Sequence, residues 1–522
     1  MTAVDDSEPR ASYSRGRFLA RLGLGAAAVA GGSALGPAGA HAGMSASSAG
    51  LVNTSSFTRL FPELATFANQ SPKVEAALIE LGRPGGLLDA ADPLSAGPVE
   101  LITNPALSAN NPNNPAHTAG TTFFGQFVDH DITFDVGSRL GQPTDPREAV
   151  NGRTAALDLD SVYGAGPVGS PQLYDALDRA KLKVESGGLF EDLPRAADTS
   201  ALLGDPRNDE HVILAGLHCA FLEFHNNAVD ALRSDGHPES DVFAAARRTT
   251  TWHYQWLLLN EFLPLFVGQA LVDDILGNGR RFYQPQTGRA LIPVEFQAAC
   301  YRFGHSMIRP SYRANLAGDD GGPFFGLIFD HAGQGQADPV DLRGGARAPR
   351  RFVGWQTFFD FGDGQVKPNK KIDTKLSTPL FDLPLGAIAS HDPPTSLPQR
   401  TLLRHLTWKL PSGQRIAKAM GAPVLSRTDL SELEDFGVGL DRSTPLFYYV
   451  LKEAELMEQG LRLGPVGGRV VAEVLIGLLQ SDPAAFSVVQ PGWEPTLQNP
   501  GSAFRMVDFL RFAGVDPASR GQ

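Results

Sequence analysis

GDPRNDEHVILAGLHCAFLEFHNN, residues 204–227, carries the clearest helical pattern in the chain. Leu214, Leu217, Phe221, Phe224 and Ala228 recur at three- and four-residue steps, which places them on one face of a helix spanning 210–232. The spacing puts the helix start at Asn208 or Asp209. His211, His218 and His225 recur every seven residues. Seven helical residues rise about 10.5 Å, too far for neighbouring histidines to share one ion. His218 and His225 therefore read as packing or hydrogen-bonding residues. Arg207 and Glu210 are three apart and can address one object; as a mere surface ion pair they would be worth under about 1 kcal/mol.

Working outward, the same periodicity recurs in 122–132 (Phe124, Phe127, Val128), in 294–309 (Phe296, Cys300, Phe303, Met307, stopped by Pro310), in 444–459 and in 466–480. Thr444-Pro445 reads as an N-cap followed by proline at the first helical position. Period-two alternation is rare, and long Gly/Pro stretches lie at 104–120, 316–351 and 387–399. The fold class expected is mainly α, one large helical unit with long loops and little sheet. The chain has 522 residues, enough to bury a sizeable core without a disulfide framework. A net charge of −12 with no basic face argues against nucleic acid as a partner. Two cysteines, Cys219 and Cys300, exclude a cysteine-based zinc or iron–sulfur site.

Residues 1–42 read as an export signal: SRGRFLARLG (14–23), an apolar run LGAAAVAGGSALG (24–36), and Ala40-His41-Ala42 before Gly43. SRGRFL resembles a twin-arginine signal with Gly16 in place of the second arginine. Residues 43–57 read as a flexible lead-in and 58–522 as the functional domain. Export to a secreted or periplasmic location is the expectation. No run is long and apolar enough to span a membrane; VVAEVLIGLLQ (470–480) is short and carries Glu473.

Three further segments carry chemistry. In GQFVDHDITFD (125–135), Gln126 and His130 are four apart and share a polar face on an otherwise apolar helix, while Asp129 and Asp131 point elsewhere. In RTAALDLDSVYG (153–164), the oxygens of Thr154, Ala156 (carbonyl), Asp158 and Asp160 stand at every second position. In an extended segment that spacing aims them one way, and hard oxygen ligands suit calcium, with Asp131 as a further donor. In CYRFGHSMIRP (300–310), His305 follows Gly304, where a missing side chain lets a flat body approach the backbone.

Together with WQTFFDF (355–361), LPSGQRIAKAMG (410–421), TPLFYYVLKEAE (444–455) and LGPVGGRVVAEVLIGLL (463–479), these segments resemble the animal-type haem peroxidases of the cyclooxygenase–peroxidase superfamily, in their bacterial branch. The resemblance covers roughly 57–515. It implies haem b and calcium as cofactors, and hydrogen peroxide and a small-molecule electron donor as substrates. It assigns His130 as distal histidine with Gln126 beside it, Arg207 as distal arginine and His305 as the iron ligand. Arg302 and Arg404 match propionate-binding arginines. Asp131, Thr154, Ala156, Asp158 and Asp160 match the calcium loop, Asp160 standing where many relatives carry serine. Asp129 and Glu210 match positions of ester links to haem, a chemistry that carboxylates alone do not imply. A third link, through methionine in one mammalian member, is absent because His211 stands there. Thr401, in RTLLRHLTWKLPSGQ (400–414), aligns with the asparagine that accepts the proximal histidine N–H; threonine reaches less far.

Three rivals are weighed. Fatty-acid dioxygenases of the same superfamily place a radical-forming tyrosine three residues before the proximal histidine; here Arg302 is there and Tyr301 is four before. A secreted adhesion module would not need Gln126, His130, Arg207 and His305 together. A metal hydrolase would need a close ligand pair such as HExxH, which is missing. The sequence leaves open the donor, covalent haem attachment, oligomeric state and export route.

Overall fold

Short strands and long helices divide the work. The computed structural model describes residues 55–185, 190–318, 320–330, 332, 340–345, 350–497 and 502–522. The expected export signal, most of the lead-in and part of the 316–351 stretch lie outside them. Ser55–Phe57, read from sequence as the end of the lead-in, instead belong to strand β1 (Ser55–Thr58). β1 pairs antiparallel with β2 (Val150–Asn151) and parallel with β3 (Ile292–Pro293), in register Ser55↔Asn151 and Phe57↔Ile292.

The helices that build the interior are α1 (Gly120–Ile132), α2 (Val212–Ser234), α3 (Glu239–Leu257), α4 (Leu397–Thr407), α5 (Leu446–Met457), α6 (Pro465–Ser481) and α7 (Met506–Ala513). α1 packs its phenylalanines onto α2 and α3: Phe127 stacks on Phe221 at 4.4 Å, and Phe124 meets Tyr254 edge-on at 6.0 Å. α7 closes the other side of α2, with Phe509 stacked on Phe224 at 4.2 Å. Each such ring withdrawn from water contributes roughly 1.5–3 kcal/mol, which sets the helix positions more firmly than intrinsic propensity does. Gly120 starts α1 because a Cβ there would meet the Phe359 ring at 2.5 Å.

α6 is buried along most of its length, which explains its apolar sequence. Its Glu473 accepts from the N–H groups of Arg281, Phe282 and Tyr283, and Glu453 of α5 accepts from Val466 and Gly467 at its start. Among the described residues no helix is long and apolar enough to cross a membrane.

Four local expectations change. The stripe of 294–309 is an α-turn (Val294–Ala298) followed by a 3₁₀ helix (Cys300–Met307), broken at Ala299 with φ −140° and ψ −68°. Thr444 does not cap α5; it donates to Leu440 O at 2.7 Å, and the helix starts at Leu446 after Pro445. Residues 206–209 form a separate 3₁₀ turn, and α2 begins at Val212 with His211 Nδ1 accepting from Leu214 N at 3.2 Å. The 153–164 segment is not extended: it coils, passes Leu159 at φ +59°, and enters a one-turn helix at Asp160. Side-chain hydrogen bonds accompany the changes at Thr444, His211 and the 153–164 segment, and hydrophobic periodicity does not register them.

Candidate active site

On α1 every residue is buried except Gln126 and Asp129. In the 3₁₀ helix 300–307 the exceptions are Arg302, Gly304 and His305. Between Thr401 and Thr407 of α4 the exception is Arg404. Three turns of tightly packed chain thus open at these points only. A 3₁₀ helix has 3.0 residues per turn, so Arg302 and His305 eclipse on one side. Tyr301, on another side, donates its hydroxyl to Gly125 O at 3.2 Å and ties this helix to α1.

The openings lie close enough to interact electrostatically: Asp129 feels Arg207, Arg302 and Arg404, and His305 feels Arg302 and Arg404. Asp129 keeps 29% of its side-chain surface accessible and Arg207 13%. Yet burial is the largest influence on both, pushing the Asp129 carboxyl up against the pull of Arg207, Arg302 and Arg404. Partial side-chain exposure with strong desolvation fits groups that line an enclosed cleft. A Cβ on Gly304 would find no atom within 4 Å, so open space lies over this backbone. His305 turns Nδ1 towards Thr401 Oγ1 at 3.5 Å, the outer limit of a hydrogen bond. Burial, Arg302 and Arg404 hold its ring neutral, at about 3. Arg302 is itself lowered to about 9, by burial and then by Arg404. Arg404 pairs with Asp135 at 2.7 Å. Two cationic side chains beside a neutral imidazole under an open face form a donor set that fits an iron porphyrin bearing two carboxylates.

Across the cleft, His130 is 5% exposed and its Nδ1 lies 2.9 Å from Asn208 Oδ1. Burial, then Arg207, lowers it to about 3, so its ring is neutral. Arg207 is clamped by Asp205 in bidentate fashion, Nε at 3.0 Å and Nη2 at 2.7 Å, and Nη2 also donates to Thr133 O at 2.7 Å. Its guanidinium lies over the Phe134 ring at 4.3 Å. Burial raises Asp205, but Arg207 and Arg153 overcome this and hold it below the usual carboxylate range. Gln126 donates to Glu210 at 3.2 Å and lies 2.9 Å from His211 Nε2. Burial pushes Glu210 up to about 8. His211 therefore caps α2 and orients Gln126.

Behind α1, ligand oxygens of Asp131, Asp158 and Asp160 lie within 4.8 Å of one another. Burial raises all three, and repulsion within the trio adds to it at Asp131 and at Asp158, which reaches about 7. Thr154 Oγ1 reaches Asp160 at 3.0 Å. Buried carboxylates crowded with a hydroxyl fit a hard divalent cation. Arg153 joins this group to the cleft, with Nη1 3.3 Å from Asp160 and Nε 3.3 Å from Asp205. Of the residues singled out in the sequence, His218 turns to Asn208 at 3.0 Å, and His225 to Tyr163 at 3.1 Å and Ala180 O at 2.8 Å. Cys219 and Cys300 are buried free thiols.

A family model described as animal haem peroxidase matches residues 135–320, a stretch that includes Arg207 and His305 and begins just past His130. Over these residues the chain is similar to the animal haem peroxidase family. Human thyroid peroxidase is 28% identical over 207 residues, 35% of this chain and 22% of that protein. Peroxidase skpo-1 of Caenorhabditis elegans is 29% identical over 229 residues, 36% of this chain and 34% of that protein. The matched stretch thus spans 22–34% of the length of these curated peroxidases. Among solved structures, peroxidase A from Dictyostelium discoideum superposes with a TM-score of 0.59 at 14% identity, covering 88% of this chain and 92% of that one. The fatty acid alpha-dioxygenase of Oryza sativa gives 0.51 at 12% identity, covering 80% and 76%. At these identities the superpositions show the fold. The mainly α architecture expected from sequence is the fold shared with these solved structures.

Asn208, Asp205, Arg153 and His211 are site residues that the sequence reading left without a role. The signal was present for Asp205, two residues before Arg207 in a turn with proline. For Asn208 and Arg153 it was absent, because their partners lie 78 and 52 residues away in sequence.

Proposed function

We propose that this protein is a haem peroxidase that reduces hydrogen peroxide and oxidises a small-molecule donor. The observation that carries the reading is the pairing of a neutral buried imidazole with a clamped guanidinium across a cleft from a second neutral imidazole. In this reading His305 Nε2 holds the iron, and Arg302 and Arg404 hold the propionates. Thr401 accepts weakly from His305 Nδ1–H. Bound haem supplies the redox centre that cleaves the peroxide bond and passes oxidising equivalents to the donor. His130 Nε2 takes the proton from the attacking peroxide oxygen and returns it to the departing one. Arg207 stabilises negative charge developing on that oxygen and, being fixed in charge, takes no part in the proton transfer. Gln126 borders the same space. Asp129 and Glu210 are the carboxylates that ester attachment to haem would use.

Asp131, Thr154, the Ala156 carbonyl, Asp158 and Asp160 are the proposed calcium ligands. Asp131 adjoins His130 on α1, so the ion braces the helix that carries the base. Residues 1–42 are proposed to direct export, leaving the peroxidase domain outside the cytoplasm. Against the dioxygenase alternative, Tyr301 is engaged with Gly125 O and the eclipsing position before His305 is Arg302.

The test is the reaction of haem-loaded variants with peroxide. His130→Ala slows it by about 10²–10⁴-fold and Arg207→Gln by about 10²–10³-fold. Unchanged rates in both variants contradict the assignment, and oxygen uptake with linoleate at wild-type rates favours the dioxygenase.

A further inference from the structure

Asn208 sits at the third position of the 3₁₀ turn Pro206–Asp209, next to Arg207, and is fully buried. Its amide bridges two histidines from different elements. Oδ1 lies 2.9 Å from Nδ1 of His130 on α1, and Nδ2 lies 3.0 Å from Nδ1 of His218 on α2. An amide has one accepting and one donating end, so the two contacts are not independent. With Oδ1 at His130, the imidazole must carry its proton on Nδ1, which leaves a lone pair on Nε2. With the amide reversed, Nδ2 would donate to His130 Nδ1. The proton would then sit on Nε2, and the ring could not accept one there.

The structure has the first arrangement, Oδ1 at His130 and Nδ2 at His218. His218 is 1% exposed and packs edge-on against Phe127 at 6.1 Å. Burial lowers it to about 3, so the ring is neutral and Nδ1 can accept. In this arrangement His218 accepts at Nδ1 from the donating end of the amide, and the accepting end faces His130.

The geometry points to Asn208 as a positioning residue that, oriented by His218, fixes His130 in the tautomer that accepts a proton at Nε2. Asn208 touches neither the cleft nor the reacting atoms; it acts through His130. The inference rests on the peroxidase reading, and the wild-type reaction with peroxide tests that reading separately.

The experiment uses haem- and calcium-loaded protein and two readouts: the association rate of hydrogen cyanide with the ferric form, which also requires a proton acceptor, and the rate of reaction with peroxide. Asn208→Leu is expected to slow both by about 10²-fold, the size of a lost general base. Asn208→Asp restores both to within about tenfold of wild type, because a carboxylate oxygen accepts from Nδ1–H and cannot be turned to donate. His218→Leu, which frees the amide to reverse, gives an intermediate slowing, and adding it to Asn208→Leu gives no further loss. If Asn208→Leu does not fold, Asn208→Ala serves in the same comparison. Rates within twofold of wild type in Asn208→Leu or Asn208→Ala overturn the proposal. So does an Asn208→Asp variant as slow as the leucine form, since a purely packing role would treat the two alike. A wild type that binds cyanide but does not react with peroxide contradicts the peroxidase reading and leaves the cyanide comparison to judge Asn208.

Discussion

Replacing Asp205 by alanine removes the residue on which both buried arginines converge. Asp205 is fully buried, chelates Arg207 at 3.0 and 2.7 Å, and lies 3.3 Å from Arg153. Arg207 keeps its contact with Thr133 O at 2.7 Å but loses both carboxylate oxygens. Removing one partner of a buried ion pair costs about 3–5 kcal/mol, because the remaining charge stays desolvated. Unfolding entropy is about 2.1 cal/mol/K per residue, so for a folded unit of this size each kcal/mol shifts Tm by about 1 °C. The expected fall in Tm is therefore about 3–5 °C. The guanidinium also loses its fixed orientation, and the reaction with peroxide is expected to slow by about 10²-fold, the scale of one lost electrostatic donor. Since the folded Asp205 is depressed below its ordinary range, its stabilisation is present at neutral pH and fades as pH falls below about 4. The Tm difference between wild type and variant should shrink accordingly. Stopped-flow absorption and scanning calorimetry at pH 7 and pH 3.5 measure all three effects. A variant with wild-type peroxide reactivity and an unchanged Tm at pH 7 refutes the reasoning.

Calcium binding should release protons, because Asp158 is raised to about 7 and its neighbours are raised too. Each proton released lowers affinity about tenfold per pH unit as the medium is acidified below that range, and calorimetry in buffers of different ionisation enthalpy reads it. Pre-formed calcium affinity that is flat between pH 8 and pH 6 contradicts this. Chelation should also slow the peroxide reaction while haem stays bound, because Asp131 adjoins His130; full activity in metal-free, haem-bound protein contradicts the calcium assignment. Gly304→Leu should leave the haem-free fold as stable as wild type, since no atom lies within 4 Å of its Cβ, yet abolish haem binding in a Soret titration. Normal haem affinity in that variant places the haem elsewhere.

Much of this was legible in sequence because it depends on periodicity. The α2 stripe of Leu214, Leu217, Phe221 and Phe224 located the helix, and the four-residue step from Gln126 to His130 located one wall of the cleft. The grouping of Asp131, Asp158 and Asp160 was also legible, although the route was wrong: a coil through Leu159 gathers the oxygens, not an extended segment. What stayed hidden was tertiary. The break at Ala299 that converts an α stripe into a 3₁₀ helix, and so eclipses Arg302 with His305, leaves no trace in the apolar pattern. The Asp160–Arg153–Asp205–Arg207 chain of buried charges joins two segments about fifty residues apart, and its two middle members, Arg153 and Asp205, read alone as ordinary loop residues.

In the proposed function the cleft between His130 and His305 holds a haem competent to cleave peroxide. The most direct measurement is the absorption spectrum of purified, haem-supplemented protein before and within milliseconds after one equivalent of hydrogen peroxide. The expected result is a Soret band that loses intensity and shifts in the wild type, and does so far more slowly in His130→Ala. Folded protein that takes up no haem, or a haem complex whose spectrum peroxide leaves unchanged, contradicts it.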